Sequence, residues 1–198
     1  MLACGCLGAC GGGSTGPGSS VGVLGGPTKS AGGGRVSALS AESQSLATGD
    51  IPDNQVFLTF NDHQAGYSMR YPEGWALRGS GWDVTFQEKN NAIHVVIGHG
   101  PAPSTASVIA DLERERASQP SLSYGHPSTV SIAGTPALRV SYSTLSQPNP
   151  VTGKRVRLLV DRYVLAHAGR TATIDLGTPA GVDNVDAYRM ISRSFRWR

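Results

Sequence analysis

The sequence predicts one mixed domain of the α+β class, built on an antiparallel sheet. Three observations lead to this class. The chain has 198 residues, which is enough for one ordinary hydrophobic core. Short strands that alternate in polarity follow one another and are separated by turn residues. Two stretches with helical spacing occur at separate positions and do not follow every strand, which disfavours a doubly wound parallel sheet.

The first two strands are predicted from composition and alternation. Val56–Asn61 is rich in aromatic and β-branched residues and ends at a polar turn. Tyr67–Tyr71 alternates between apolar and polar residues, so its two tyrosines share one face. Proline and glycine within residues 72–74 predict a turn that returns Trp75 to the core.

The next pair of strands forms a predicted hairpin. Residues 82–88 alternate, and Trp82 is the first of the apolar positions that we expect in the core. Two asparagines at 90 and 91 provide a turn into a second strand, Ala92–Gly98.

A helix is predicted after this hairpin. Two prolines end the extended chain, and Ser104 is the candidate N-cap. We expect the run 113–116 of alternating charges to face water. The apolar stripe consists of Ala106, Val108, Ile109 and Leu112.

The second half of the domain is predicted as two hairpins followed by a helix. The strands are Ser128–Ile132 with Pro136–Thr144, and Arg155–Ala166 with Arg170–Leu176. His167, Ala168 and Gly169 make a tight connection in the longer pair. Val185, Tyr188, Met190 and Ile191 then have helical spacing, with Asp183 or Asn184 as the cap and with Phe195 and Trp197 beyond.

The charge distribution disfavours nucleic-acid binding. The formal net charge is only +3, and all of the excess lies in the domain, because Lys29 and Arg35 balance Glu42 and Asp50. Nucleic-acid binders show a basic stripe with interleaved aromatic residues, whereas most basic residues here are scattered. The exceptions are Lys154, Arg155 and Arg157, and the C-terminal Arg189, Arg193, Arg196 and Arg198.

The N-terminal residues resemble the start of an exported lipoprotein. Leu7-Gly8-Ala9-Cys10 is similar to a bacterial lipobox, in which the cysteine is acylated after cleavage. Residues 11–34 are almost entirely Gly, Ser, Thr and Pro, which is typical of a flexible spacer. We expect a signal remnant at 1–10, a tether at 11–54 and the domain at 55–198. We therefore expect the domain to be lipid-anchored at the outer face of the cytoplasmic membrane or in the cell envelope.

Two other interpretations of the N-terminus stay open. The usual charged and apolar stretch does not precede the lipobox, which fits an unprocessed, disordered tail. Cys4, Cys6 and Cys10 also form a C-x-C-x3-C tract, which is weak as a metal site because no histidine lies nearby. All three cysteines lie in this segment, so the domain has no disulfide and no cysteine-ligated metal.

Three short motifs of the domain resemble PsbP-like domains. They are the run 60–75, with a Gly-Tyr strand entering Tyr-Pro-x-Gly-Trp, the turn region 130–137, and the C-terminal run 190–196. The resemblance implies an α-β-α sandwich around an antiparallel sheet, and its bacterial branch includes the LpqN-like envelope lipoproteins. It also implies a protein that binds and does not catalyse.

Candidate catalytic and metal-binding residues are few. His94 and His99 lie five residues apart, so they point to opposite faces of a strand, and we expect surface histidines and no metal site. No G-x-S-x-G motif occurs. The two Gly-Thr-Pro runs, at 134–136 and 177–179, lack the lysine of a P-loop and are expected as turns. The sequence therefore predicts no catalytic residue and no cofactor.

Four charged residues are candidates for cross-strand ion pairs on an outer face. Asp161 and Arg162 lie on one predicted strand, with Arg139 and Asp175 on its neighbours. They are either ordinary surface pairs or the lining of a cleft for an anionic or sugar ligand.

Three functions follow as hypotheses. The first is a non-catalytic envelope lipoprotein that binds a partner protein or a small ligand. The second is an enzyme, which requires a polar pocket with His94 or His126 beside a carboxylate. The third is a structural interaction module, which requires a flat exposed apolar patch.

Overall fold

The computed structural model describes residues 49–198, which contain antiparallel strands and two helices. The α+β class predicted from sequence is confirmed. The strands are β1 (Phe57–Asp62), β2 (Tyr67–Pro72), β3 (Ala76–Ser80), β4 (Asp83–Glu88), β5 (Asn91–His99), β6 (Ser123–Tyr124), β7 (Ser128–Ile132), β8 (Thr135–Leu145), β9 (Arg157–His167), β10 (Arg170–Pro179) and β11 (Arg196–Trp197). The helices are α1 (Thr105–Ser118) and α2 (Val185–Ser194).

The strands form two antiparallel sheets. The large sheet has eight strands in the order β3-β4-β5-β10-β9-β8-β6, with β7 paired to β8. The small sheet has the order β1-β2-β11. The longest pairing joins β9 and β10 through a two-residue turn, in which both Ala168 and Gly169 have positive φ. This is the tight connection that the sequence predicts.

The two faces of the large sheet are covered differently. Val164 and Leu165 are neighbours on β9 and point to opposite faces. Leu165 belongs to the main core, together with Ile191 of α2 and Tyr67 of the small sheet, whereas Val164 packs in a second cluster with Leu112 of α1. One face therefore carries α1, and the other carries α2 beside a three-stranded sheet, which is more than a simple α-β-α sandwich.

The two tryptophans of the first half have different environments. Trp75 is buried, as predicted. Trp82 is 37% exposed, and its ring lies 5.2 Å from that of His99, so its predicted place in the core is wrong. Trp82 precedes β4 and follows Gly81, which has positive φ. The tryptophan lies in the turn from β3, so it does not share the inward alternation that buries Val84 and Phe86.

Helix α1 begins as predicted but presents a narrower apolar face. Ser104 and Ser107 form a capping box, in which each side chain accepts a hydrogen bond from the other residue's backbone N–H. Val108 and Leu112 are buried, whereas Ala106 is exposed. Glu115, which was expected to face water, instead binds Arg162 of the sheet, so that part of the prediction is wrong.

Asn184 stands at the N-cap position of α2, but its side chain makes no capping hydrogen bond. It joins a buried group that we call the asparagine clasp, made of Gly49, Ile51, Asn91, Thr178 and Asn184. The Asn184 amide nitrogen donates to the Asn91 oxygen at 3.1 Å, and its oxygen accepts from the Ile51 backbone N–H at 2.7 Å. The Asn91 amide donates to the Gly49 carbonyl at 2.5 Å. The start of the described chain is thereby fixed to β5 and α2.

The second Gly-Thr-Pro run is not a turn. Residues 177–179 are the last part of β10, where Gly177 pairs with Val160 and Pro179 with Leu158. A proline is tolerated at a strand end because no further ladder bond is needed from its nitrogen. Among residues 49–198, neither helix has the length and apolar character that crossing a membrane requires.

Candidate functional site

A cleft opens where the large sheet extends beyond α2. Strands β8 and β9 have eleven residues each and α2 has ten. At about 3.4 Å per strand residue and 1.5 Å per helix residue, each strand is more than twice as long as the helix. The helix therefore covers only part of this face, and a cavity of about 620 Å³ lies beside it. We call this cavity the sheet cleft.

The polar centre of the sheet cleft is a group of three residues on β8 and β9. Ser141 and Asp161 are direct cross-strand partners. The Asp161 carboxylate accepts a hydrogen bond from Arg139 Nη2 at 2.7 Å and one from Ser141 Oγ at 2.5 Å. The bond to Asp161 holds the pKa of the Arg139 guanidinium above its ordinary value, although burial opposes this. Among the described residues, the buried Arg139 Nε has no hydrogen-bond partner.

The rest of the lining combines hydroxyl groups with apolar surface. Tyr163 is the cross-strand partner of Arg139, and its hydroxyl makes no hydrogen bond within the described residues. Leu159 and Val185 are 46% and 60% exposed, which leaves apolar surface open to a ligand. The further lining residues are Ser123, Tyr124, Gly125, Tyr142, Ser143, Val160, Leu176, Thr178, Val182, Asn184, Tyr188 and Arg189.

A second polar group lies on the opposite face of the sheet, under α1. Arg162 donates to both oxygens of Asp175, at 2.8 and 2.7 Å, and to both oxygens of Glu115, at 2.5 and 3.1 Å. The Tyr142 hydroxyl donates to Asp175 at 3.1 Å, and its ring lies 5.1 Å from the Arg162 guanidinium. We call these four residues the buried ion group. Their polar atoms form hydrogen bonds with one another, so we assign the group a role in stabilising the fold.

Burial and charge together shift the pKa values of the buried ion group. Burial disfavours the charge of Arg162, but its hydrogen bonds to Asp175 and Glu115 outweigh that effect and hold the pKa above its ordinary value. The pKa of Tyr142 is also raised, first by burial and then by the negative charge of Asp175. The arginine stays charged and the tyrosine neutral over the usual pH range.

Both predicted ion pairs form, but they lie on different faces of the sheet. Arg139–Asp161 lines the sheet cleft, with side chains 42% and 28% exposed. Arg162 is only 7% exposed, so the prediction that its pair lies on an outer face is wrong. Helix α1 covers it, which the sequence of the strands alone cannot reveal.

The histidines do not form a site with other ligating residues. Within residues 49–198, no group of three or more His, Cys, Asp or Glu is placed to hold a metal ion. His94 and His99 lie on opposite faces of β5, as predicted. No acidic residue adjoins His94 in the sequence, but the fold places Asp83 beside it, with 2.9 Å between Nε2 and Oδ1. The contact is diagonal across the β4–β5 ladder, where His94 faces Thr85.

Two other predicted residues remain, His126 and Cys10. His126 is exposed, does not line the cleft and makes no ion pair with any described residue. Cys10, the predicted lipid-attachment residue, lies outside the described residues.

Sequence reasoning missed Ser141 and Tyr163, although a signal was present. On β8, the positions that share a face begin with the buried Ala137 and continue with Arg139 and Ser141. A change from apolar to polar residues at alternate positions marks the point where a strand leaves the core. That change occurs at the edge of the sheet cleft.

The domain is similar to solved structures, although no family model and no curated protein matches the sequence. Cyanobacterial PsbP (CyanoP) from Synechocystis sp. PCC 6803 has a TM-score of 0.55 at 20% identity, over 77% of this chain and 99% of that chain. The Ran-binding protein Mog1p of Saccharomyces cerevisiae has a TM-score of 0.46 at 11% identity, over 72% and 96%. LpqN of Mycobacterium tuberculosis, involved in cell envelope biogenesis, has 0.42 at 15% identity, over 72% and 91%.

The likeness to CyanoP shows the fold. The domain has a PsbP-like fold, which is what the three short sequence motifs imply. At this level of identity the likeness carries no residue role from one protein to the other.

Proposed function

We propose that this chain is a non-catalytic binding protein whose PsbP-like domain holds a small, hydroxyl-rich ligand such as a sugar in the sheet cleft. The observation that supports the proposal is the polar centre of a 620 Å³ cavity, in which Arg139 and Asp161 are paired at 2.7 Å. Pockets of this size are typical of small-molecule sites, in which a few polar groups fix the orientation of the ligand.

The charges of the cleft favour a neutral ligand over a strongly charged one. Arg139 and Asp161 balance each other, and Arg189, which also lines the cleft, is paired with Asp186 at 2.9 Å. A charged ligand would therefore lose its hydration without meeting a free opposite charge. Together with Ser141 and Tyr163 they offer donors and acceptors side by side, as neighbouring sugar hydroxyls require. The exposed apolar surface of Leu159 and Val185 suits the carbon face of a sugar ring.

We further propose that a lipid on Cys10 holds the domain at the outer face of the cytoplasmic membrane, in the cell envelope. The support is the lipobox-like Leu7–Cys10 followed by a Gly/Ser-rich spacer. About forty residues between Cys10 and the domain would let it reach its ligand at roughly 35 Å from the anchor, if the spacer behaves as a flexible coil. Intact mass and membrane fractionation of the protein, expressed with its native upstream region, test this. A soluble chain that retains residues 1–10 would contradict it.

The binding proposal is tested by ligand titration of the full chain. Glucose, N-acetylglucosamine and maltose are titrated into ¹⁵N-labelled protein, and we expect amide shifts around Ser141 and Tyr163. Asp161→Asn should weaken binding at least about tenfold, because it removes a charged acceptor from the site. Asp83→Asn is the matched control, since Asp83 pairs with His94 away from the cleft.

Two results would contradict the binding proposal. One is the absence of shifts with every sugar, and the other is an equal loss of binding in the Asp161 and Asp83 variants. A protein partner in place of a small ligand would require a flat apolar patch. The sheet cleft is concave and its centre is polar, which favours the small ligand.

A further inference from the structure

A second concavity lies on the far side of α2 from the sheet cleft, and four of its nine lining residues are arginines. It has a volume of about 590 Å³ and lies between α2 and strands β1 and β2. Its charged lining residues are Arg70, Arg189, Arg193, Arg196 and Asp186. We call it the arginine groove. Three of the arginines belong to the C-terminal basic cluster visible in the sequence, and Arg70 of β2 joins them only in the fold.

Three arginines of this groove lack the carboxylate partner that four other arginines of the domain have. Arg114, Arg116, Arg139 and Arg162 each face a carboxylate. Within the described residues, no carboxylate lies within salt-bridge distance of Arg70, Arg193 or Arg196. Only Arg189 is paired, with Asp186 at 2.9 Å, and the Asp186 side chain is 93% exposed. The groove therefore concentrates positive charge that residues 49–198 do not neutralise.

The spacing on α2 increases this concentration. Arg189 and Arg193 are four residues apart on one face of the helix, where like charges repel. Arg196 is held close to the helix end because its Nη1 donates to the carbonyl of Arg193 at 2.5 Å and to that of Phe195 at 2.8 Å. A bound anion would relieve this repulsion.

The two walls of the groove are joined before any ligand binds. The Ser194 hydroxyl accepts a hydrogen bond from the Arg70 backbone N–H at 2.8 Å and donates to the Ile191 carbonyl at 2.6 Å. Arg70 on β2 is thereby held beside the C-terminal turn of α2. The backbone that carries these arginines is thus fixed before binding, which lowers the entropic cost of binding.

We infer that the arginine groove binds a phosphate group, carried either by a small soluble phosphate or by a lipid headgroup. Guanidinium groups bind phosphate through pairs of parallel N–H···O bonds, and several can share its oxygens. Four arginines and one carboxylate line the groove, and a phosphate group offers the arginines more acceptor oxygens than a carboxylate ligand does. This site shares only Arg189 with the sheet cleft, and the variants below leave Arg189 intact, so the inference does not depend on the proposed function.

The experiment uses the full chain with Cys10→Ala, so that no lipid anchor contributes. In one arm, inorganic phosphate and glycerol 3-phosphate are titrated into ¹⁵N-labelled protein at constant ionic strength. In the other arm, the protein is sedimented with vesicles of phosphatidylcholine alone or with one quarter phosphatidylglycerol. We expect saturable shifts at Arg70 and Arg193 with the soluble phosphates, or sedimentation only with the phosphatidylglycerol vesicles.

A matched pair of double variants decides whether the groove is responsible. Arg70→Ala with Arg193→Ala removes two groove arginines, and Arg78→Ala with Arg155→Ala removes two exposed arginines elsewhere. The groove variant should bind at least about tenfold more weakly, because each arginine near an anionic surface contributes about fivefold. The control should change binding less than twofold if the site is specific.

The two arms distinguish a soluble phosphate from a lipid headgroup. If the groove variant binds the soluble phosphates more weakly than the control variant does, a soluble phosphate is sufficient as the ligand. If the parent protein binds only the vesicles, and the groove variant binds them more weakly, the ligand is the lipid headgroup. Binding that falls equally in both double variants would overturn the site, because it would reflect net charge only. Failure of both probes to bind would also overturn it, and would leave the sugar titration of the sheet cleft unaffected.

Discussion

Asp161 and Arg162 are neighbours on β9, and their surroundings show how the two faces of the large sheet differ. Asp161 faces the sheet cleft, where it binds Arg139 and Ser141 beside open space. Arg162 faces α1, where Asp175 and Glu115 occupy its guanidinium from two sides. The same residue types therefore form a partly open group on one face and a closed group on the other. The comparison shows that coverage by a helix decides which ion pair is structural.

The first prediction compares the two arginines, and it has the largest expected effect. Arg162→Met leaves two carboxylates, Asp175 and Glu115, without their cation, and should lower the free energy of unfolding by about 3–5 kcal/mol. Arg139→Met breaks a pair that is partly exposed, and should cost less than about 1 kcal/mol. Urea unfolding of both full-length variants, followed by tryptophan fluorescence, measures the difference. Equal losses would show that the two faces do not differ as described.

The second prediction compares two tyrosines. Tyr142→Phe removes the hydroxyl that donates to Asp175 at 3.1 Å and should cost about 1.5–3 kcal/mol, because the acceptor is charged and sheltered. Tyr163→Phe removes a hydroxyl without a partner among the described residues, so stability should change by less than about 0.5 kcal/mol. The same urea experiment applies to both. A larger loss in the Tyr163 variant than in the Tyr142 variant would reverse the assignment of the two faces.

The third prediction concerns alkaline pH and has the smallest effect. Because the pKa of Tyr142 is raised in the folded state, its contribution to stability is complete below pH of about 10 and is lost as the pH rises further. At pH of about 11 this loss amounts to roughly 1.4 kcal/mol for one tyrosine. Tyr142→Phe should therefore show a shallower fall of stability between these pH values than the parent protein. Identical slopes would mean that Tyr142 ionises as readily when folded as when unfolded.

The sequence predicted the strands whose alternation is regular and whose turns are distinctive. The β9–β10 hairpin is the best example, since its turn contains Gly169 and its strands keep alternating through long runs. Strand β3 was not predicted because all five of its residues are exposed, so no apolar alternation marks it. Among the described strands it lies at an edge of the large sheet and pairs with β4 alone. Strands β6 and β11 have two residues each, which is too short for a pattern.

The pairing of charges in the site was predictable, whereas their exposure was not. Opposite charges on neighbouring strands indicated that Arg139 would meet Asp161 and that Arg162 would meet Asp175. The position of Glu115, 47 residues away from Arg162 in the chain, depends on how α1 packs across the sheet. Such long-range packing leaves no local signal. The sheet cleft arises for the same reason, because it is the area that α2 is too short to cover.

The asparagine clasp has a mechanical consequence. If Cys10 is anchored as we propose, any pull on the domain arrives through the chain that enters at Gly49. That load is first borne by the hydrogen bonds at residues 49–51. The Gly49 carbonyl accepts from Asn91 and Asn184, Asp50 accepts from the Asp183 N–H, and the Ile51 N–H donates to Asn184. Because these bonds follow one another along the chain, tension stresses them residue by residue, before the ladder of β1 is loaded. Drag on the tether would thus lengthen it by a few residues and leave the sheet intact.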